Sequence, residues 1–538
     1  MKKKSIFILL PVITAGIIAV SCKKETSSTE TPTFTNETYK EGMIQLGKKI
    51  NDPYSIENMR KAYTNIAPSN LKSELAPNKL YLRFLPKTEE EWDLLKSDTT
   101  LLPYDFPLDY EIDVQGMYYH DPSLPQDAIT WQYTVVPVDY VIPNIQHEIL
   151  YEAFIPPHED GGTLKSSEID FYNRLEEESF RLTGNLPTPS EENQLKGVTI
   201  GWKPKGRITV KDDLLGEIPL QGASVHARFT INIETCLTDA DGYYSMPRFF
   251  FSVNYAIKWE RADYDIRDGD LIQAWYNGPN QASDWNLYIN SGKSLMFATI
   301  HRAADKSFYG DNLGIKRPTQ SNKTKICYKD SYNSDYPAVF WGNWGTVGLL
   351  PDIKIWGRTS GNNFMQTNII FGNTIHELGH QSHWQLIGAG NFAFTDKIIR
   401  ESWALAIEWA LTNDEYNKKG IKYNKDDAKK YNHDKGGHQH WHKTLTQPEY
   451  SPMFVDLMDS FNQRNGGTVW TSSTSSYDLN VNPLSWYPND KISGYTLSAI
   501  QNKILLGSKS VSDVRSKIKA NKLAGMTDTD VDELLRLY

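Results

Sequence analysis

The spacing of apolar and polar positions divides the chain into five stretches. An apolar run from Ile6 to Val20 follows Lys2, Lys3 and Lys4 and ends at Ser21-Cys22. A basic start, a short apolar run and a small residue read as a secretory signal, too short for a membrane span. Residues 23–35 are rich in Ser, Thr and Glu and read as a flexible tether. Residues 36–195 mix patterns. Positions 36–67 read as helix ending near Pro68, Lys79–Leu85 and Thr130–Ile142 as strands, and Glu89–Lys96 as a short helix with Thr88 as its N-cap. Residues 196–267 change to short alternating strands separated by turn signals, which predicts a small β-sandwich. Residues 268–538 carry helical patterns at Thr299–Phe308, Thr367–Leu386, Thr395–Thr412, Val455–Asn462, Leu497–Leu506 and Val511–Asn521.

Composition narrows the class. A chain of 538 residues, 39% of them hydrophobic and 12% aromatic, has material for several packed domains. The formal charge is −9, and removing residues 1–21 takes away three lysines and no acid. A body this acidic argues against nucleic acid as the main partner, because phosphate binding wants a basic face. Beyond Cys22 only Cys236 and Cys327 remain, so there is no disulfide framework.

The candidate chemistry lies in Asn373–His380, which contains His376-Glu377-Leu378-Gly379-His380. On a helix, residues i and i+4 share a face, so two imidazoles can reach one Zn²⁺ while Glu377 reaches the metal's water as general base. A catalytic zinc needs a third protein ligand. His383 shares the face but stands roughly 10.5 Å up the axis from His376, against a Zn–N bond of about 2 Å. It reads as a cleft-wall or supporting residue. Glu401 lies on a second predicted helix, and Gly388-Ala389-Gly390 lets the chain turn back between the two. Glu408 competes from the same helical face, but only one of the two carboxylates can reach the metal. Gly379 inside a helix costs about 1 kcal/mol relative to alanine, which close approach of a neighbouring backbone would explain.

Weaker signals stand beside these. His433–His442 holds four histidines, which could form a second metal site, although Gly436-Gly437 favours a solvated loop. One of these histidines, or Tyr431, Tyr450 or Tyr495, could stabilise an oxyanion. Asp352–Gly357 reads as a strand, either in the core or at a sheet edge aligning a substrate. Asp239 and Asp241 read as a tight turn rather than a calcium site.

Four resemblances add to this reading. Ala19-Val20-Ser21-Cys22 resembles a bacterial lipobox, with Ala19 where leucine is usual, which implies lipidation of Cys22. Gly206–Val210, Gln221–Val225 and Thr238–Tyr244 resemble the carboxypeptidase regulatory-like module, an immunoglobulin-like accessory domain. HExxH followed about twenty residues later by Glu401 resembles the gluzincins, zinc peptidases of the thermolysin-like class. Leu386 stands where a metzincin would need its third histidine, and the surroundings of Asp396 lack the motif of aspartate-type zincins. The HExGH form given by Gly379 is also similar to the peptidase M60-like group, some of which act on glycoproteins.

The expected fold class is therefore multidomain α+β. A signal (1–21) and a lipidated tether (22–35) precede a mixed domain (36–195), a β-sandwich (196–267) and a gluzincin-like zinc peptidase domain (268–538) with a mainly helical active-site half. The implied protein is an exported lipoprotein of the cell envelope, held to the membrane by its anchor alone, with one Zn²⁺ on His376, His380 and Glu401. Its expected substrate is a protein or glycoprotein. The rival expectation is a surface lipoprotein that captures glycan or protein through a retired peptidase domain.

Overall fold

The computed structural model describes residues 19–21, 42–67, 75–98, 100–125, 128–157, 165–186, 201–270, 272–335, 337–341, 352–419, 451–460, 462 and 489–536. Cys22, the tether, Tyr431, His433–His442 and Tyr450 lie outside them. The fold is multidomain α+β. Among the described residues no helix is long and apolar enough to cross a membrane.

Strand β1 (Ala19–Ser21) belongs to a distant sheet taken up below. The N-terminal region then runs β2 (Gln45–Lys49), α1 (Ile56–Ile66), β3 (Lys79–Phe84), α2 (Glu89–Ser97), β4 (Tyr110–Val114), β5 (Gln132–Pro137), β6 (His147–Ala153) and α3 (Ser166–Thr183). The helix expected over 36–67 is thus corrected. Among its described residues, 42–67, Gln45–Lys49 is a strand paired with β4, and the helix is Ile56–Ile66, starting at the Ser55 cap. The Thr88 cap on α2 forms as expected, accepting from the Glu91 amide. Strands β5, β3 and β6 form an antiparallel sheet.

Two four-stranded sheets follow. They are built from β7 (Lys205–Asp212), β8 (Gly216–Pro219), β9 (Ser224–Phe229), β10 (Asn232–Leu237), β11 (Tyr243–Ser245) and β12 (Val253–Lys258). The chain then contributes β13 (Tyr264–Asp268) and β14 (Ile272–Gln273) to a separate six-stranded sheet. It returns with β15 (Trp275–Gln281), beside β12, and β16 (Leu287–Ile289), beside β7. Strands on both sides of residue 267 therefore serve both layers, and the two share one continuous core. The Asp239–Gly242 segment is a turn whose Asp239 carboxylate accepts from the amides of Asp241 and Tyr243.

Helix α4 (Gly292–Phe308) leads to β17 (Thr324–Lys329), β18 (Ala338–Trp341) and β19 (Ile353–Trp356). The six-stranded order is β1-β18-β19-β17-β13-β14. The edge position considered for Asp352–Gly357 is corrected: β19 is interior, between β18 and β17, and β18 is the strand that carries β1 on its outer side. Then come α5 (Thr367–Ile387), α6 (Ala389–Ala393), α7 (Lys397–Lys418), α8 (Met453–Asp456), α9 (Leu497–Ala499, running into a π turn Ile500–Leu505), α10 (Val511–Ala520) and α11 (Asp528–Leu534). The Val455–Asn462 helix shrinks to a single turn.

A buried ionic lock ties α2 to the layers behind it. Glu260 accepts from Lys96 at 2.9 Å, Lys258 at 2.8 Å and Lys323 at 2.5 Å. Lys325 reaches Asp93 of α2 at 2.7 Å. Burial would push the Glu260 carboxyl up, but the three lysines outweigh it and hold it well below the usual carboxylate range. Cys236 and Cys327 are free thiols in different sheets.

Candidate metal centre

Helix α5 owes its place to its sequence. Nearly every residue from Thr367 to His383 is buried, so this stretch of the helix runs through the core, and Trp384–Ile387 are half-buried. At its end Gly388 takes φ +79°, a left-handed value that glycine adopts freely, and the chain reverses into α6 and α7. Helices α5 and α7 pack closely as an antiparallel pair. A Cβ on Gly379 would stand 3.3 Å from Ala404 Cα and 3.4 Å from Ile407 Cβ. The glycine inside the motif helix thus lets α7 approach, as its helix-breaking cost suggested.

That approach brings the candidate ligands together. One ligand atom each of His376, His380 and Glu401 lies within 4.8 Å of the others, and all three residues are buried. His380 Nε2 is 3.2 Å and His376 Nε2 is 3.5 Å from Glu401 Oε2. The buried nitrogens of His380 and the buried carboxylate oxygens of Glu401 make no hydrogen bond. Leaving such groups uncompensated is costly, so three converging donors of this kind fit a cation. Two nitrogens and one oxygen suit a divalent ion such as zinc. Burial would push Glu401 up, but the imidazoles outweigh it and hold its carboxyl below the usual range. Burial holds His380 below the usual histidine range despite Glu401.

The other candidates fall in distinct places. Glu377 is fully buried on α5, beside the first histidine. Glu408 is not a third ligand. Its Oε2 accepts from His376 Nδ1 at 3.1 Å, which leaves Nε2 turned toward Glu401. Room for this carboxylate comes from Gly372, where a Cβ would stand 3.0 Å from Glu408 Oε1. His383 lies outside the ligand group; burial, with smaller contributions from His380 and Arg400, drives its pKa down to about 3. The Tyr495 hydroxyl donates to Asn521 O at 2.8 Å within a helical core, so it is engaged away from the ligands. The N-cap of α7 is Asp396, which makes no side-chain cap bond, and Thr395 Oγ1 donates to Asn391 O.

Sequence reading missed Phe340. This β18 residue stacks on the His380 ring with centroids 6.3 Å apart and planes at 21°. No local pattern reveals a contact made across forty residues.

Comparisons with protein-family models, with curated proteins and with solved structures each found no match. The functional reading rests on the residues of the site.

Proposed function

We propose that the chain is an exported, lipid-anchored, zinc-dependent endopeptidase acting on proteins or glycoproteins outside the cell, of the gluzincin type suggested by its motif. The observation that carries this reading is the convergence of His376, His380 and Glu401 with Glu377 one residue from the first ligand. Zinc, when bound, would supply Lewis acidity toward a water and the scissile carbonyl. His376 and His380 would present Nε2, and Glu401 a carboxylate oxygen, to the ion. Glu408 would hold the His376 ring in the tautomer that leaves Nε2 free to ligate. The Glu377 carboxylate would take the proton from the attacking water and return it to the leaving nitrogen.

Substrate alignment is assigned to the outer edge of β18. The segment Ala19–Ser21 pairs antiparallel with Trp341–Val339, so this edge accepts an extended backbone, and Phe340 of the same strand rests on His380. Cleavage before Cys22 would remove Ala19–Ser21 and free the edge. The two-sheet region fits the accessory sandwich suggested by its turn motifs.

The test is zinc content together with cleavage of a peptide library. Glu377→Gln is expected to keep stoichiometric zinc and lose at least about a hundredfold in kcat, whereas His376→Ala loses both metal and activity. Full activity in Glu377→Gln would sink the mechanism. A wild-type protein that holds no zinc and cleaves nothing would favour a binding lipoprotein instead.

A further inference from the structure

Helix α5 begins at Thr367, and its N-cap residue Gln366 makes no side-chain cap bond. Its open end is closed from another layer of the molecule. The Thr367 amide donates to Asp213 Oδ2 at 2.8 Å, and the Asp213 amide donates to Thr367 Oγ1 at 2.8 Å, across 154 residues of sequence. This is the reciprocity of a capping box, made between a sheet turn and the start of a helix instead of within one segment.

The preceding residue does the same for two further helices. Asp212 is buried, and its Oδ2 accepts from Arg302 of α4 at 2.8 Å and from the Tyr416 hydroxyl of α7 at 2.8 Å. Its Oδ1 accepts from the amides of Leu214 and Leu215 at 2.9 and 3.0 Å, which closes the β7–β8 turn before Gly216. Leu215 packs against both major cores. Two consecutive residues of one turn thus grip α4, α5 and α7, and α5 and α7 carry His376, His380 and Glu401.

We propose that the β7–β8 turn is a positioning element of the metal centre, with Asp213 and Asp212 setting where α5 stands against α7 and hence where the imidazoles meet Glu401. This rests on the metal-centre reading above. His376 lies nine residues beyond Thr367, roughly 13.5 Å along the axis. A small tilt at the cap therefore moves a ligand that must be placed to within about 0.5 Å.

The test compares Asp213→Ala with Asp213→Asn, which keeps an acceptor for the Thr367 amide. Three quantities are read: zinc affinity by competition with a chelator, kcat and KM separately, and hydrogen exchange of the metal-free protein. Asp213→Ala is expected to bind zinc about tenfold more weakly and to lose kcat at unchanged KM. Its exchange should speed up over residues 367–380 while residues 224–237 stay protected. Asp213→Asn is expected to restore all three. Zinc affinity and exchange at 367–380 both equal to wild type, with only the melting temperature lowered, would overturn the proposal. Failure of the wild type to bind zinc would overturn the metal-centre reading instead, leaving exchange to decide whether the turn positions α5. If Asp213→Ala does not fold, Thr367→Val removes only the hydroxyl half of the pair. A smaller loss of zinc affinity there supports the proposal, and no loss overturns it.

Discussion

Glu260 and Glu401 are both buried carboxylates held below their ordinary range by nitrogen neighbours, yet their surroundings differ in one decisive respect. Glu260 is saturated: three lysine ammonium groups sit at 2.5–2.9 Å around it. Glu401 has two imidazole nitrogens at 3.2 and 3.5 Å, and neither of its carboxylate oxygens makes a hydrogen bond. A saturated cluster has completed its chemistry and serves the fold. A convergent cluster in which the His380 nitrogens and the Glu401 oxygens make no hydrogen bond could hold a cation. Burial and a depressed pKa are common to both, so neither alone separates a lock from a site.

The sharpest way to break this distinction is to neutralise each carboxylate in turn. Glu260→Gln leaves three buried lysines short of a counter-charge and is expected to cost about 3–5 kcal/mol of stability, measured by denaturant unfolding, while the folded fraction still takes up zinc. Glu401→Gln should abolish stoichiometric zinc, measured by metal analysis of the purified protein. Exchanged outcomes would mean that the assignments of lock and site are reversed.

His301 extends the contrast to histidines. It is buried like His380, but its Nδ1 meets the Tyr264 hydroxyl at 2.8 Å and its Nε2 meets Gln221 O at 2.9 Å. Burial lowers its pKa from 6.5 to about 4, against the Gln221 bond that favours the charged form. Between those values the unfolded chain binds the extra proton. The group's contribution is therefore full above pH 6.5 and falls away as pH drops toward 4, by about 3 kcal/mol. Stability curves of wild type and His301→Gln should converge as pH falls through this window; parallel curves would show that His301 is not held neutral.

The smallest expected effect belongs to Gly379→Ala. Alanine favours the isolated helix by about 1 kcal/mol, but its Cβ would press on Ala404 and Ile407. The net loss should be about 1–2 kcal/mol, accompanied by weaker zinc retention because α5 and α7 are pushed apart. A more stable variant with unchanged zinc affinity would show that the close approach is dispensable.

The site was more legible in the sequence than the fold that holds it. HExxH fixes its own geometry through the helical repeat, and Glu401 follows from a turn and a second helix, all local properties. The choice between Glu401 and Glu408 was decided by packing, since the two differ by two helical turns on one face. What local pattern does not encode is partnership between distant strands. Gln45–Lys49 looks helical until β4 is there to pair with it, and β19 looks like an edge until β18 is seen outside it. The departure of β13 and β14 from the two-sheet layer is likewise invisible in a run of alternating residues.

The Asp213–Thr367 clasp also has a temporal meaning. Every strand of the two-sheet layer, through Ile289, precedes Thr367 in the chain. A polypeptide that emerges from its amino end can therefore complete the layer that carries the acceptor before the histidine-bearing helix exists. The helix would then grow onto a finished surface, with its first turn already spoken for. Vectorial emergence, whether from the ribosome or across a membrane, thus favours assembly of the candidate metal site last.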